Sequence, residues 1–146
     1  MVGVALTFAV FAQTERSRAS GDQYAATETT DNSSRAPCAL TDADTLPVDP
    51  DVIEVCGMIR RDDFLEASKR WRQVHDQRVQ AGRPVGADAL IVARTAAAHG
   101  DATRRDRPDA ADEADGFARY WAGEAVVGLS KTDPRQLEAK QLRDGR

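Results

Sequence analysis

Apolar residues are unevenly spread along this chain. Val2 to Ala12 forms one short apolar run at the start. Residues 13–37 then offer almost nothing to bury. Beyond them, apolar positions recur every three or four residues, the spacing that places side chains on one face of a helix. Asp49-Pro50 predicts a helix start, with a cap followed by Pro at the first helical position. Val52, Ile53, Cys56 and Ile59 would share its inner face. A second helix is predicted from Asp63 to Gln80, where Asp63 and Glu66 have capping-box spacing. Phe64, Ala67, Trp71 and Val74 form its apolar stripe, and Lys69, Arg70, Arg72, His75 and Arg78 its polar face. Ala81-Gly82-Arg83-Pro84 reads as a stop. A third helix is predicted from Gly86 or Ala87 through His99, with Gly100 ending it. A polar loop follows near 101–108. Pro108-Asp109 would open a fourth helix carrying Phe117, Tyr120 and Trp121. Residues 124–130 fit strand or helix, and Asp133-Pro134 would open a short tail helix ending near Arg143. The expected fold class is therefore mostly α, a small domain of about four helices spanning 38–146. No run of β-formers alternates with the helical segments, so an α/β sheet is not expected.

The first 37 residues carry a different message. The run Val2–Ala12 is shorter than the ~20 apolar residues that span a bilayer. It has the length of a secretory apolar region, and Val10-Phe11-Ala12 before Gln13 resembles a cleavage site. No Lys or Arg precedes it, and the first cations, Arg16 and Arg18, lie on its far side. A signal-peptide or anchor-like segment at 1–12 is the preferred expectation. A buried element of a cytosolic fold and an artefact of start-site choice are the alternatives. Residues 13–37 are rich in Ser, Thr, Asp and Glu, too polar to offset their ordering entropy by burial. They read as a disordered spacer or tail.

Composition sharpens this picture at one point. The chain has two cysteines, Cys38 and Cys56, around a stretch with Pro47, Pro50 and four aspartates. In an oxidising compartment such a pair predicts one disulfide, contributing roughly 3 kcal/mol through the unfolded state. Two unrelated thiols in a cytosolic protein is the alternative. There is no C-x-x-C, and Asp42, Asp44, Asp49 and Asp51 lack the spacing of a calcium loop. They read as turn and cap residues. Aromatic residues make up only 5% of the chain, so the core must be small. The net charge of −4 gives no strong nucleic-acid signal, which would need clustered Lys and Arg.

Candidate chemistry is sparse. The basic segment K-R-W-R-Q-V-H-D-Q-R before a turn invites a helix-turn-helix reading. The helix after that turn is Ala-rich and nearly uncharged, so it reads as core rather than as a recognition helix. The basic face then reads as a solvated face or a surface for an acidic partner. His75 and His99 are not in metal-binding spacing and read as surface or capping residues. No nucleophile elbow, P-loop or dinucleotide fingerprint is present.

The stretch A-G-R-P-V-G-A-D-A-L-I-V-A-R-T-A-A-A-H-G, from Ala81 to Gly100, resembles the late part of PIN-domain ribonuclease toxins. That resemblance implies an acidic metal site with Asp88 opening a helix and Asp106 as a second acid. Carboxylates holding Mg²⁺ to activate water would be the chemistry. It covers at most residues 62–109. Two features of the family are missing, an Asp-ending first strand and an apolar strand between Gly100 and Asp106.

The leading expectation is thus a non-enzymatic, exported or membrane-tethered helical module, closed by Cys38–Cys56. Its partner would be another protein or the membrane, with no catalytic residue, metal ligand or cofactor. The alternative is a cytosolic metal-dependent ribonuclease using Asp88 and Asp106.

Overall fold

A computed structural model of the chain describes residues 37–145. The apolar run and the spacer of the first 36 residues lie outside them. Five helices follow in order: α1 (Pro50–Arg60), α2 (Phe64–Gln80), α3 (Gly86–Thr103), α4 (Pro108–Gly128) and α5 (Gln136–Arg143). No strand occurs among the described residues. The domain is all-helical as expected. Residues 124–128 complete α4, and the tail helix is the fifth.

Local chemistry sets these boundaries. Asp49 caps α1 by accepting the Asp51 N–H, and Pro50 fills the first helical position. Both α1 and α2 end on a left-handed residue whose following N–H reaches back to the helix. At α2 that residue is Gly82, φ +69°, with the Arg83 N–H donating to the Arg78 carbonyl. At α1 it is Asp62, φ +61°, with the Asp63 N–H donating to the Met58 carbonyl. Asp63 is therefore committed to the end of α1, and its side chain makes no capping hydrogen bond to α2. The capping box read from the sequence does not form.

The largest helix contact joins α3 and α4, and small residues make it. The two helices run antiparallel. Gly86 faces Gly128 at one end, so closely that a Cβ on Gly86 would lie 2.4 Å from the Gly128 carbonyl carbon. Gly100 faces Ala111 and Ala114 at the other end. Between them Ala89, Ala93 and Ala96 of α3, and Ala118, Ala122 and Ala125 of α4, are buried. Gly100 is thus a notch in α3 rather than its stop, and the helix runs on to Thr103. α1 covers α3 with Val52, Val55, Cys56 and Ile59. Val55 replaces Ile53 on the inner face, since Ile53 is exposed. α5 closes the end of α4. Gln136 Nε2 donates to the carbonyls of Val126 and Leu129, both at 2.9 Å, capping the C-terminus of α4.

Candidate functional site

Residues 37–49 form an irregular arm held down at several points. The sulfurs of Cys38 and Cys56 lie at disulfide distance, with Cα atoms 5.1 Å apart, and both residues are buried. Cys56 sits on the core face of α1, so the arm is anchored where α1 meets α3. Beside it the Ala39 N–H donates to Thr95 Oγ1 at 2.9 Å, and that hydroxyl donates to the Ile91 carbonyl. Arg60 Nε donates to the Pro37 carbonyl at 2.9 Å.

The largest polar anchor of the arm is Arg94. It donates to the Ala39 carbonyl at 2.9 Å, to the buried Asp44 carboxylate at 2.7 Å, and through two nitrogens to Glu138 of α5 at 2.6 and 2.9 Å. Burial opposes the Arg94 charge. The hydrogen bond to Glu138 and the Asp44 charge outweigh it and hold its pKa above the ordinary arginine value. Asp44 also accepts the Thr41 N–H at 2.7 Å, which folds the turn in the arm. One group therefore ties arm, α3 and α5 together. Asp133 stands before α5, and hydrogen bonds from Arg135 pull its carboxyl down to about 2.

Asp88 and Asp106 are not brought together. Asp88 is in the first turn of α3 and bonds the Arg78 guanidinium. Asp106 is in the turn beyond the other end of that helix, whose axis separates the two by roughly 22 Å or more. Among the described residues no three His, Cys, Asp or Glu side chains converge as a metal site. Asp88 serves instead as partner to a buried cation. Arg78 is buried, not part of the solvated face, because it continues the stripe Phe64, Ala67, Trp71, Val74 by one more step. Its guanidinium lies 5.7 Å over the Trp71 ring, and its Nη2 stands 2.8 Å from Asp49 without hydrogen-bond alignment. The helix spacing carried this signal, which the charge of Arg78 masked.

His99 departs from the surface reading in the same way. It is buried in α3, with Nε2 2.6 Å from Asp62 Oδ1. Arg107 bonds the other Asp62 oxygen. Burial lowers the His99 pKa, and the nearby Arg60 charge lowers it further. A neutral ring still donates Nε2–H to Asp62, whose charge is already met by Arg107. A non-glycine residue in a left-handed conformation is costly, and these two partners are what hold Asp62 there.

The remaining feature is the seam between α2 and α4. These helices run in the same direction, with side chains meeting in register. Phe64 faces Phe117 with ring centres 6.2 Å apart, Trp71 faces Trp121 at 5.9 Å, and His75 Nε2 lies 4.0 Å from Glu124. All five Phe, Tyr and Trp residues of the described part line this seam. His75 is half-buried between the two indoles, 6.1 and 5.4 Å away. The outer edge of the seam is apolar and uncovered. Leu65 is 67% exposed, Val79 54%, Tyr120 49% and Val127 82%. The Arg72 guanidinium lies 5.6 Å over the Tyr120 ring and bridges the two helices. Across the molecule, a cavity of about 190 Å³ is lined by Ala97, Ala118 and Leu142 with Asp101, Arg104 and Arg119. Arg104 there is already bound to Asp115 at 2.6 Å.

Comparison with protein-family models, with curated proteins and with solved structures finds no match for this chain. Among the described residues, no helix is long and apolar enough to cross a membrane.

Proposed function

We propose that the protein is a non-enzymatic interaction module, exported or membrane-tethered, whose helical domain is locked by a Cys38–Cys56 disulfide and whose contact surface is the α2–α4 seam. The placement of the two sulfurs carries this reading. The chain's only cysteines are buried at disulfide distance, Cys38 in an arm that lacks regular structure of its own and Cys56 on the core face of α1. A bond at this place suits an oxidising compartment, since reducing cytosol keeps thiols apart as thiols. The apolar run Val2–Ala12 agrees with it as an export or anchor signal.

The seam supports the second half of the reading. Apolar side chains left uncovered along two adjacent helices mark contact surfaces on soluble domains. Most of the basic residues of α2 are already engaged. Arg70 bonds Asp51 and Glu54, Lys69 bonds Glu66, and Arg78 bonds Asp88. A free basic face for an acidic partner is therefore the weaker candidate.

Fractionation of the cells that make the protein, with protease added from outside the cytoplasmic membrane, tests the reading. The protein is expected in the extracytoplasmic fraction and open to the protease. Recovery in the cytosol would remove the basis for the disulfide and for this function.

A further inference from the structure

The α3–α4 pair is longer than the helix laid over it. α5 runs back along α4, with Gln136 at Val126, Arg143 near Gly123 and Gly145 against Arg119. Glu138 ties it to Arg94 of α3. With eight residues it ends beside the middle of α4. Past that end, Ala97 of α3, Ala118 of α4 and Leu142 of α5 form the apolar lining of the cavity of about 190 Å³. The volume falls short of drug-sized pockets and suits a small aliphatic molecule.

Charge is separated along this cavity. Near one end Arg104 is surrounded by Asp101, Asp112 and Asp115, at 3.8, 3.7 and 2.6 Å. One arginine cannot neutralise three carboxylates, so this end is net acidic. Asp115 takes the closest bond, and Asp101 stays exposed. At the α5 end stands Arg119, which makes no ion pair among the described residues. Asp115 lies one turn from it on α4 but bonds Arg104 instead. The Arg119 guanidinium rests against Gly145. A Cβ there would lie 3.0 Å from its Nη2 and 3.2 Å from its Nε and Cζ. The bare backbone of Gly145 thus seats a long, otherwise mobile side chain before any ligand arrives.

We propose that this cavity binds a small zwitterion, an aliphatic α-amino acid. Its carboxylate would meet Arg119, its ammonium Asp101, and its side chain Ala97, Ala118 and Leu142. An anion alone faces the acidic end, and an amine alone faces Arg119, so half of the site opposes either single charge. The cavity uses faces of α4 other than the α2–α4 seam, and the inference stands apart from the interaction-module reading.

Titration of L-leucine into the isotopically labelled full chain, followed by amide NMR shifts, tests it. Isocaproate, which lacks the ammonium, and isoamylamine, which lacks the carboxylate, are the paired probes. Saturable shifts are expected with leucine at Ala97, Asp101, Arg119 and Gly145, and each single-charge probe should bind roughly tenfold more weakly or worse. Arg119→Gln and Asp101→Asn should each weaken leucine binding by roughly tenfold or more. Both positions are exposed, so the helices should stay folded, as unchanged shifts elsewhere would show. Ala97→Leu, which fills the cavity, should abolish binding. Leucine without saturable shifts overturns the inference, as do shifts confined to another surface, equal binding of the three probes, or full affinity in Arg119→Gln. None of these outcomes alters the fractionation result expected for the broader reading.

Discussion

The two faces of α4 are built on opposite principles. Against α3 it presents Ala111, Ala114, Ala118, Ala122 and Ala125, and backbones come so near that Gly86 and Gly128 touch. Against α2 it presents Phe117, Tyr120 and Trp121, which hold the helices apart. Small residues have almost no rotamer freedom to lose and no polar ends to satisfy, so the α3–α4 contact is a rigid base. Large aromatics bury more area but leave an outer edge and polar ends. Trp71 Nε1 is buried without a hydrogen-bond partner among the described residues, and Tyr120 is half in solvent. The lesson is that one helix packs by close backbone approach on one side, and on the other by buried aromatic rings that leave an exposed edge.

Substitution in the seam core should have the largest effect. Trp71 is fully buried between Trp121, His75 and Arg78. Trp71→Ala is expected to cost about 3–5 kcal/mol of unfolding free energy, measured by urea denaturation. A loss under about 1 kcal/mol would mean that the seam contributes surface and little else.

The close contact should break at its ends unequally. A Cβ on Gly86 meets backbone atoms of Gly128 and Leu129, which cannot step aside without moving α4. Gly86→Ala is expected to destabilise by about 1–3 kcal/mol. At Gly100 the nearest atom is the Asp115 carboxylate at 2.8 Å, the end of a side chain that can swing. The gain in helix propensity, up to ~1 kcal/mol, opposes the remaining crowding there. Gly100→Ala should therefore fall within about 1 kcal/mol of wild type. Equal losses at both sites would refute the idea that backbone contact distinguishes them.

The smallest effect is expected where α3 carries a titrating group next to the base. The folded-state pKa of His99 lies below its value in the unfolded chain. Its contribution is then fully present above the unfolded value near 6.5 and is lost as pH falls through that value toward the folded one. His99→Gln, which keeps a donor to Asp62, should flatten the pH dependence of stability just below the ordinary histidine value of about 6.5 relative to wild type. An unchanged slope would show that His99 titrates alike in both states.

These residues also show what the sequence made legible. Spacing and stop signals gave the class, the start of α1 at Pro50, the end of α2 at Gly82 and the start of α4 at Pro108, because each is decided within a few residues. Gly100 was unreadable as a notch, since a glycine just before a charged stretch looks like a stop until the neighbour it accommodates is known. Arg78 and His99 were assigned to solvent by polarity, although Arg78 continued the apolar stripe. Their burial depends on Asp88, Asp49 and Asp62, which lie 10 to 37 residues away in the chain. The Arg94 junction was invisible for the same reason, joining residues about 50 positions apart. Within the candidate site, the cysteine pair and the aromatic residues stood out in the sequence. The parallel alignment that turns α2 and α4 into one strip did not.

The account depends most on the cysteine bond, because it holds down the arm and is the main argument for the proposed compartment. Alkylating the native protein under denaturing conditions, before and after reduction, and weighing the products reads it directly. The account predicts no alkylated cysteine before reduction and both Cys38 and Cys56 alkylated after it. Two alkylated thiols in the unreduced native protein would contradict it.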